Sequence, residues 1–152
     1  NNTAIVFING EDVTEKIRSV EVSFKVSDVA AIPEIREELV RIQQQFGREK
    51  NIVTEGRDTT TVVFPEADIK VFLTASIDKR AERRKKDFEA QNEEITVDKI
   101  KENINMRDKI DSQRKASPLT KAEGSIEIDS SSLSVEEEAE IILKRLEEIR
   151  KI

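Results

Sequence analysis

Ile52-Val53-Thr54-Glu55-Gly56-Arg57-Asp58 is the stretch on which the fold turns. Three extended-chain formers run straight into a charged turn, the form expected where a strand of an open α/β sheet ends at a ligand site. Beyond it lies Thr61-Val62-Val63-Phe64-Pro65, then Ile69-Lys70-Val71-Phe72-Leu73, nearly continuous in apolar residues. That continuity predicts a strand covered on both faces. A basic helix is expected over about 77–90, and another from Thr96. A third strand is expected at Ile126-Glu127-Ile128-Asp129. Ser134 and Glu137 form a capping box. It opens a last helix whose apolar face is Ala139, Ile142, Leu143, Leu146 and Ile149. Strands alternating with helices over 52–152 predict a parallel α/β sheet.

Upstream of Ile52 the pattern changes. Ala4-Ile5-Val6-Phe7-Ile8 is a short strand before the turn Asn9-Gly10. Val22, Val26 and Val29 follow a helical period, and so do Ile35, Leu39, Ile42 and Phe46 after Pro33. Proline suits the first turn of that helix, and Gly47 its end. Residues 1–50 are expected to be a small α+β insertion, and 51–152 the main body.

Composition narrows the classes of function. The 152 residues are 38% charged and 36% hydrophobic, with net charge -6. An acidic chain argues against nucleic acid as the main partner, although a local basic cleft remains compatible with it. Without cysteine there is no thiolate chemistry, and without histidine the commonest general base is absent. No stretch reaches the ~20 apolar residues of a membrane span. No signal-peptide pattern is seen, so a cytoplasmic location is expected. Asn1 in place of methionine suggests a piece of a longer protein.

The candidate chemistry is carried by arginine and aspartate. Arg107, Asp111 and Arg114 stand at i, i+4 and i+7, on one helical face and ~10 Å apart along the axis. Asp111 is expected to hold the two arginines apart and aim them at a phosphate and a sugar. A solvated face with i,i+4 pairs explains the same spacing, which by itself favours that reading. Arg80, Arg83 and Arg84 share a face of the basic helix, beside Lys79, Lys85 and Lys86. They make either an anion-facing lid or ordinary solubilising charge. Arg57 and Asp58 either meet a phosphate and an amino group or close the turn as an ion pair. The four glycines form no G-x-x-x-x-G-K-[ST] loop for a triphosphate.

These blocks, in this order, resemble the bacterial cytidylate kinases of the adenylate-kinase-like P-loop family. The resemblance covers essentially the whole chain. It rests on Gly10-Glu11-Asp12-Val13-Thr14, on Val26-Ser27-Asp28-Val29-Ala30-Ala31-Ile32-Pro33-Glu34-Ile35-Arg36, and on Glu55-Gly56-Arg57-Asp58. Further blocks are Thr61–Pro65, Phe72–Ser76 and Arg107–Arg114, with Ala116, Pro118 and Leu119 behind them. The resemblance implies a monophosphate-binding insertion, a helical lid over about 77–118, and transfer of the ATP γ-phosphoryl group to CMP or dCMP with Mg2+. Ser27, Arg36 and Asp58 would read cytosine. Arg57 and Arg114 would hold the monophosphate, and Arg107 with Asp111 would meet the ribose. Arg83 and Arg84 would meet the transferring phosphates, with Arg114 beside them in catalysis. Glu55 would orient magnesium through water. A monomer is expected, with no nucleic acid or membrane partner.

Two departures from the family pattern are visible. Thr60 stands where the family has glycine, and the family's first strand, P-loop and first helix are not among these residues. The sheet core is therefore expected to be incomplete, and the chain alone inactive. The family places its first strand between those at 52–54 and 69–73. Either a one-strand gap or direct pairing of the two is expected, the gap being favoured. Rival readings are a non-catalytic fragment or paralogue that binds a nucleotide or a protein, and, more weakly, a polyanion-binding helical adaptor.

Overall fold

The computed structural model describes residues 4–48 and 51–150. The chain opens with a minimal hairpin, β1 (Phe7–Ile8) against β2 (Glu11–Asp12). Asn9 and Gly10 both take positive φ, 52° and 84°, as a two-residue hairpin turn of this twist requires. The strand expected over 4–8 is thus shorter, and Thr14 holds its entry by accepting from the Val6 N–H at 2.9 Å.

Two helices follow, α1 (Val20–Ala30) and α2 (Pro33–Gly47). Ser19 caps α1, and Pro33 occupies the first turn of α2. The face that α1 buries is the reverse of what hydrophobicity predicts. Ser23 and Ser27 are buried, while Val22, Val26 and Val29 are exposed, as are Ile35, Leu39 and Phe46 of α2. At its far end α2 presses on the next segment. A side chain at Gly47 would collide with the Phe64 ring.

Residues 51–56 form no strand, and Ile52 and Val53 are exposed. The strand expected at Ile52–Thr54 is therefore corrected. Its β-branched residues lack a neighbouring strand, and an extended segment without a ladder has nothing to fix it. No ladder joins it to Val71–Thr74, so the direct pairing does not occur. Thr59–Val63 then make one wide π-helical turn, in which the Asp58 carbonyl accepts from the N–H of Val62 (2.9 Å) and Val63 (3.2 Å).

The main body is α/β, with a small parallel sheet. Strand β3 (Val71–Thr74) pairs in parallel with β4 (Ile126–Asp129), in the register Val71↔Ile126 to Thr74↔Asp129. Ile69 and Lys70 lie outside the strand, and Leu73 is exposed. Burial on both faces is thus not what β3 shows, because two strands cannot cover one another's faces. Between β3 and β4 run α3 (Ile77–Glu89) and α4 (Val97–Gln113), capped by Ser76 and Thr96. They form a hairpin around Ala81, Phe88, Ile100 and Ile104, the core cluster, with Val20, Ile77 and Ile95 packed against it. Helix α5 (Val135–Arg150) starts at the Ser134/Glu137 capping box, whose two reciprocal hydrogen bonds measure 2.7 and 3.2 Å. It buries no residue. No described helix is long and apolar enough to cross a membrane.

Candidate functional site

The turn after Gly56 and the end of α4 meet in a buried charged node. Asp58 is 3% exposed. Arg36, one turn into α2, grips it with both ends of the guanidinium fork, the Nε bond measuring 3.1 Å. On the other side lies Arg114, the residue that ends α4, with NH2 3.9 Å from the same carboxylate. Arg57 and Asp58 do not pair with each other. Arg57 reaches α4 instead, with Nε 3.4 Å from Asp111 and NH1 3.8 Å from Asp108. The closed-turn reading of Arg57 and Asp58 is therefore replaced by two separate bridges to distant segments.

Asp111 is buried and holds Arg114 at 3.2 Å and Arg57 at 3.4 Å. It does not bridge Arg107 and Arg114 as the helical spacing predicts. The chain turns sharply at Arg114, and the loop behind it folds back. The Arg114 Nε donates to the Ser117 carbonyl at 2.6 Å, and the Leu119 N–H to the Asp111 carbonyl at 2.8 Å. Ser117 pays for this path with φ 51°, uncommon outside glycine. One donor is left over: Arg114 NH2 is buried and has no hydrogen-bond partner. Burial, and then the nearby Arg36 charge, lower the Arg114 pKa. Orphaned buried donors are rare in folded proteins, and this one belongs to a full positive charge.

Arg107 adds to the excess. Its Nε donates to Ser27 at 3.3 Å, and it has no ion pair among the described residues. Burial lowers its pKa first, followed by repulsion from Arg57 and Arg84. Ser23, one turn before Ser27 on α1, accepts from Arg84. The Arg84 guanidinium lies 4.6 Å over the buried Phe88 ring. The buried polar face of α1 is thus a pair of hydroxyls, each holding an arginine from another helix. Sequence reasoning singled out Ser27 but missed Ser23. The i,i+4 spacing of two serines opposite a valine stripe was the available signal.

Not every expected residue joins the node. Arg83 is tied to the end of β4, donating to the Ser130 carbonyl at 2.7 Å and to its hydroxyl at 3.0 Å. Ser130 was also missed, although polar residues at the carboxyl end of a parallel strand mark ligand sites. Lys79, Lys85 and Lys86 pair with Glu82 and Glu89 along α3, as solubilising charge does. Glu55 is exposed. No three His, Cys, Asp or Glu side chains gather as a metal site among the described residues. Thr60 keeps a negative φ within the π turn, so the backbone there does not demand glycine.

Five guanidiniums, those of Arg36, Arg57, Arg80, Arg107 and Arg114, thus meet three carboxylates, Asp58, Asp108 and Asp111. Such a site is short of negative charge. A family model described as cytidylate kinase matches residues 1–148. The chain belongs to the cytidylate kinase family. A curated cytidylate kinase of Bacillus velezensis (strain FZB42) is 47% identical over 144 residues, which is 95% of this chain and 64% of the relative. Cytidylate kinases of Flavobacterium psychrophilum and Bacillus subtilis (strain 168) are each 46% identical, over 92% and 94% of the chain. The chain spans less than two thirds of the length of these cytidylate kinases.

Proposed function

We propose that the chain carries the acceptor site of an enzyme that transfers the ATP γ-phosphoryl group to CMP or dCMP. The observation that carries the reading is the charge balance of the node. Five guanidiniums against three carboxylates leave an excess that suits a phosphate monoester of roughly −1.5 to −2 charge. The unpartnered Arg114 donor is a ready contact for one of its oxygens. Bidentate guanidinium–phosphate bonds supply both the energy and the orientation.

In this reading Arg57 and Arg114 hold the monophosphate. Arg107 and Asp111 meet the ribose. Ser27, Arg36 and Asp58 read cytosine, with the Asp58 carboxylate accepting from the exocyclic amino group. Arg36 keeps Asp58 aimed. Residues 1–50 act as the monophosphate-binding insertion. Residues about 77–118 act as a helical lid, whose Arg83 and Arg84 reach the transferring phosphates after giving up Ser130 and Ser23. Phosphoryl transfer needs positioning and charge stabilisation more than a strong base, consistent with a chain that has no histidine. The relatives' family name implies ATP, and Mg2+ customarily accompanies it. Among the described residues no three carboxylates gather as a direct ligand set for that ion, and Glu55 would orient it through water. The reading places the protein in the cytoplasm as a monomer.

Calorimetry tests it directly. The 152-residue chain should bind CMP more tightly than UMP, and Asp58→Ala should remove that preference. The same chain should show no ATP-dependent turnover of CMP, because it contains no triphosphate-binding glycine loop. Equal affinity for CMP and UMP in the unaltered chain would count against the base-reading assignment.

A further inference from the structure

Arg80 and Asp108 stand at the edge of the site described above, where Asp108 already faces Arg57, and they form a half-buried bidentate ion pair. Arg80 stands in the first turn of α3, and Asp108 near the end of α4. The Arg80 fork donates two hydrogen bonds to the two Asp108 oxygens, at 2.5 and 2.9 Å. The contact raises the Arg80 pKa above its ordinary value. Asp108 has a second neighbour, since its Oδ1 lies 3.8 Å from Arg57 NH1. Arg57 is thus placed between two carboxylates of α4, Asp108 and Asp111, one turn apart.

The position of the pair matters. The α3–α4 hairpin is closed at the turn over 90–96, and its apolar cluster of Ala81, Phe88, Ile100 and Ile104 fills the interior. That cluster already joins the two helices. Arg80 and Asp108 add a clasp at the open end, where Arg57 enters. An isolated surface pair is worth little, but a bidentate pair tied into a network is the favourable exception.

We propose that Asp108 is a positioning residue. Through Arg80 it fastens the lid helix α3 to α4, and beside Asp111 it sets Arg57 for the phosphate. Movement of α3 is then felt at the monophosphate site. This rests on the reading of Arg57 as a phosphate ligand.

The test is a double-mutant cycle on the 152-residue chain with Arg80→Gln and Asp108→Asn. Both groups are about one-third exposed, so the variants should fold, as circular dichroism will report. Each single variant should weaken CMP binding about five- to tenfold, and the double variant no more than either one. Cytidine, which lacks the phosphate, should bind all three variants within about twofold of the unaltered chain by NMR titration. Arg80→Lys keeps the charge but loses the fork, and should fall between. Additive losses, or equal losses for CMP and cytidine, overturn the proposal. Hydrogen exchange supplies an arm that needs no ligand. Amides of 56–58 should exchange faster in both single variants, and unchanged exchange overturns the clasp. If the unaltered chain fails to bind CMP, the proposed function has failed, and the exchange arm alone decides the clasp.

Discussion

The two halves of the α3–α4 hairpin are stabilised in opposite ways. Near its closed end, Phe88 and Ile100 are all but fully buried in an apolar cluster. At the end of α4, Asp111 and Arg114 are equally buried, among charges. The first region gains from removing hydrocarbon from water, roughly 25 cal/mol per Å2. The second loses hydration that ion pairing only partly returns. A buried node with an unpartnered donor is a poor way to stabilise a fold and a good way to receive an anion. Stability and anion binding thus draw on opposite ends of one pair of helices.

Breaking the apolar region should have the largest effect on stability. Phe88→Ala should cost about 3–5 kcal/mol in urea unfolding. It also removes the surface on which Arg84 lies. Breaking the charged region should move binding most. Asp58→Ala should lower CMP affinity by about 10²-fold, because a site built to bond an amino group suffers when the bond is unmade. In an assay of the longer enzyme, the same substitution should shrink the CMP/UMP ratio of kcat/KM. A Phe88→Leu variant sharpens the contrast. It should lose about 1–2 kcal/mol of stability while its CMP affinity stays within about twofold.

A smaller step compares two cations of one helix end. Arg114→Ala should weaken CMP binding by tenfold or more, at about 1.4 kcal/mol per decade. Lys109→Ala, at an exposed position, should change stability by no more than about 0.5 kcal/mol and leave CMP binding nearly unchanged. Equal effects on CMP binding would mean that α4 acts as diffuse charge. The smallest expected effect is a titration. Glu82 is exposed on α3 between Lys86 and Lys79, whose hydrogen bonds hold its carboxyl down to about 2. A depressed carboxylate pKa contributes stability that is complete above the unfolded value. It is lost as pH falls from about 4.5 toward 2. NMR titration of the Glu82 side chain should show a midpoint near 2, and Lys86→Ala should raise it.

Local signals carried much of the fold. Pro33, Ser134 with Glu137, and the Asn9-Gly10 turn have geometries that neighbours in sequence determine, and each appears where the sequence places it. Apolar continuity located β3, and the alternating Ile126-Glu127-Ile128-Asp129 located β4. One reading failed, and one face went unread, because both needed long-range information. The segment Ile52–Thr54 has strand composition but no ladder partner among the described residues. The valine stripe of α1 has helical period but faces outward, because Ser23 and Ser27 bind arginines on the other side. In the site, the residue types at 36, 57, 58, 107, 111 and 114 were legible. Their pairing was not, since Asp111 chooses Arg57 from 54 positions upstream over Arg107 one turn away. Spacing on a helix says which side chains can meet, not which charges arrive from elsewhere.

The parallel register of β3 and β4 also constrains the order of folding. Val71 and Ile126 must meet across 55 positions, with both helices of the hairpin in between. Closing so long a loop early is entropically costly, whereas α3 and α4 contact one another locally. Docking Phe88 on Ile100 shortens the effective loop before the strands find each other. Conservative truncations at Ile100 should therefore slow refolding, while those at Ile128 should chiefly speed unfolding.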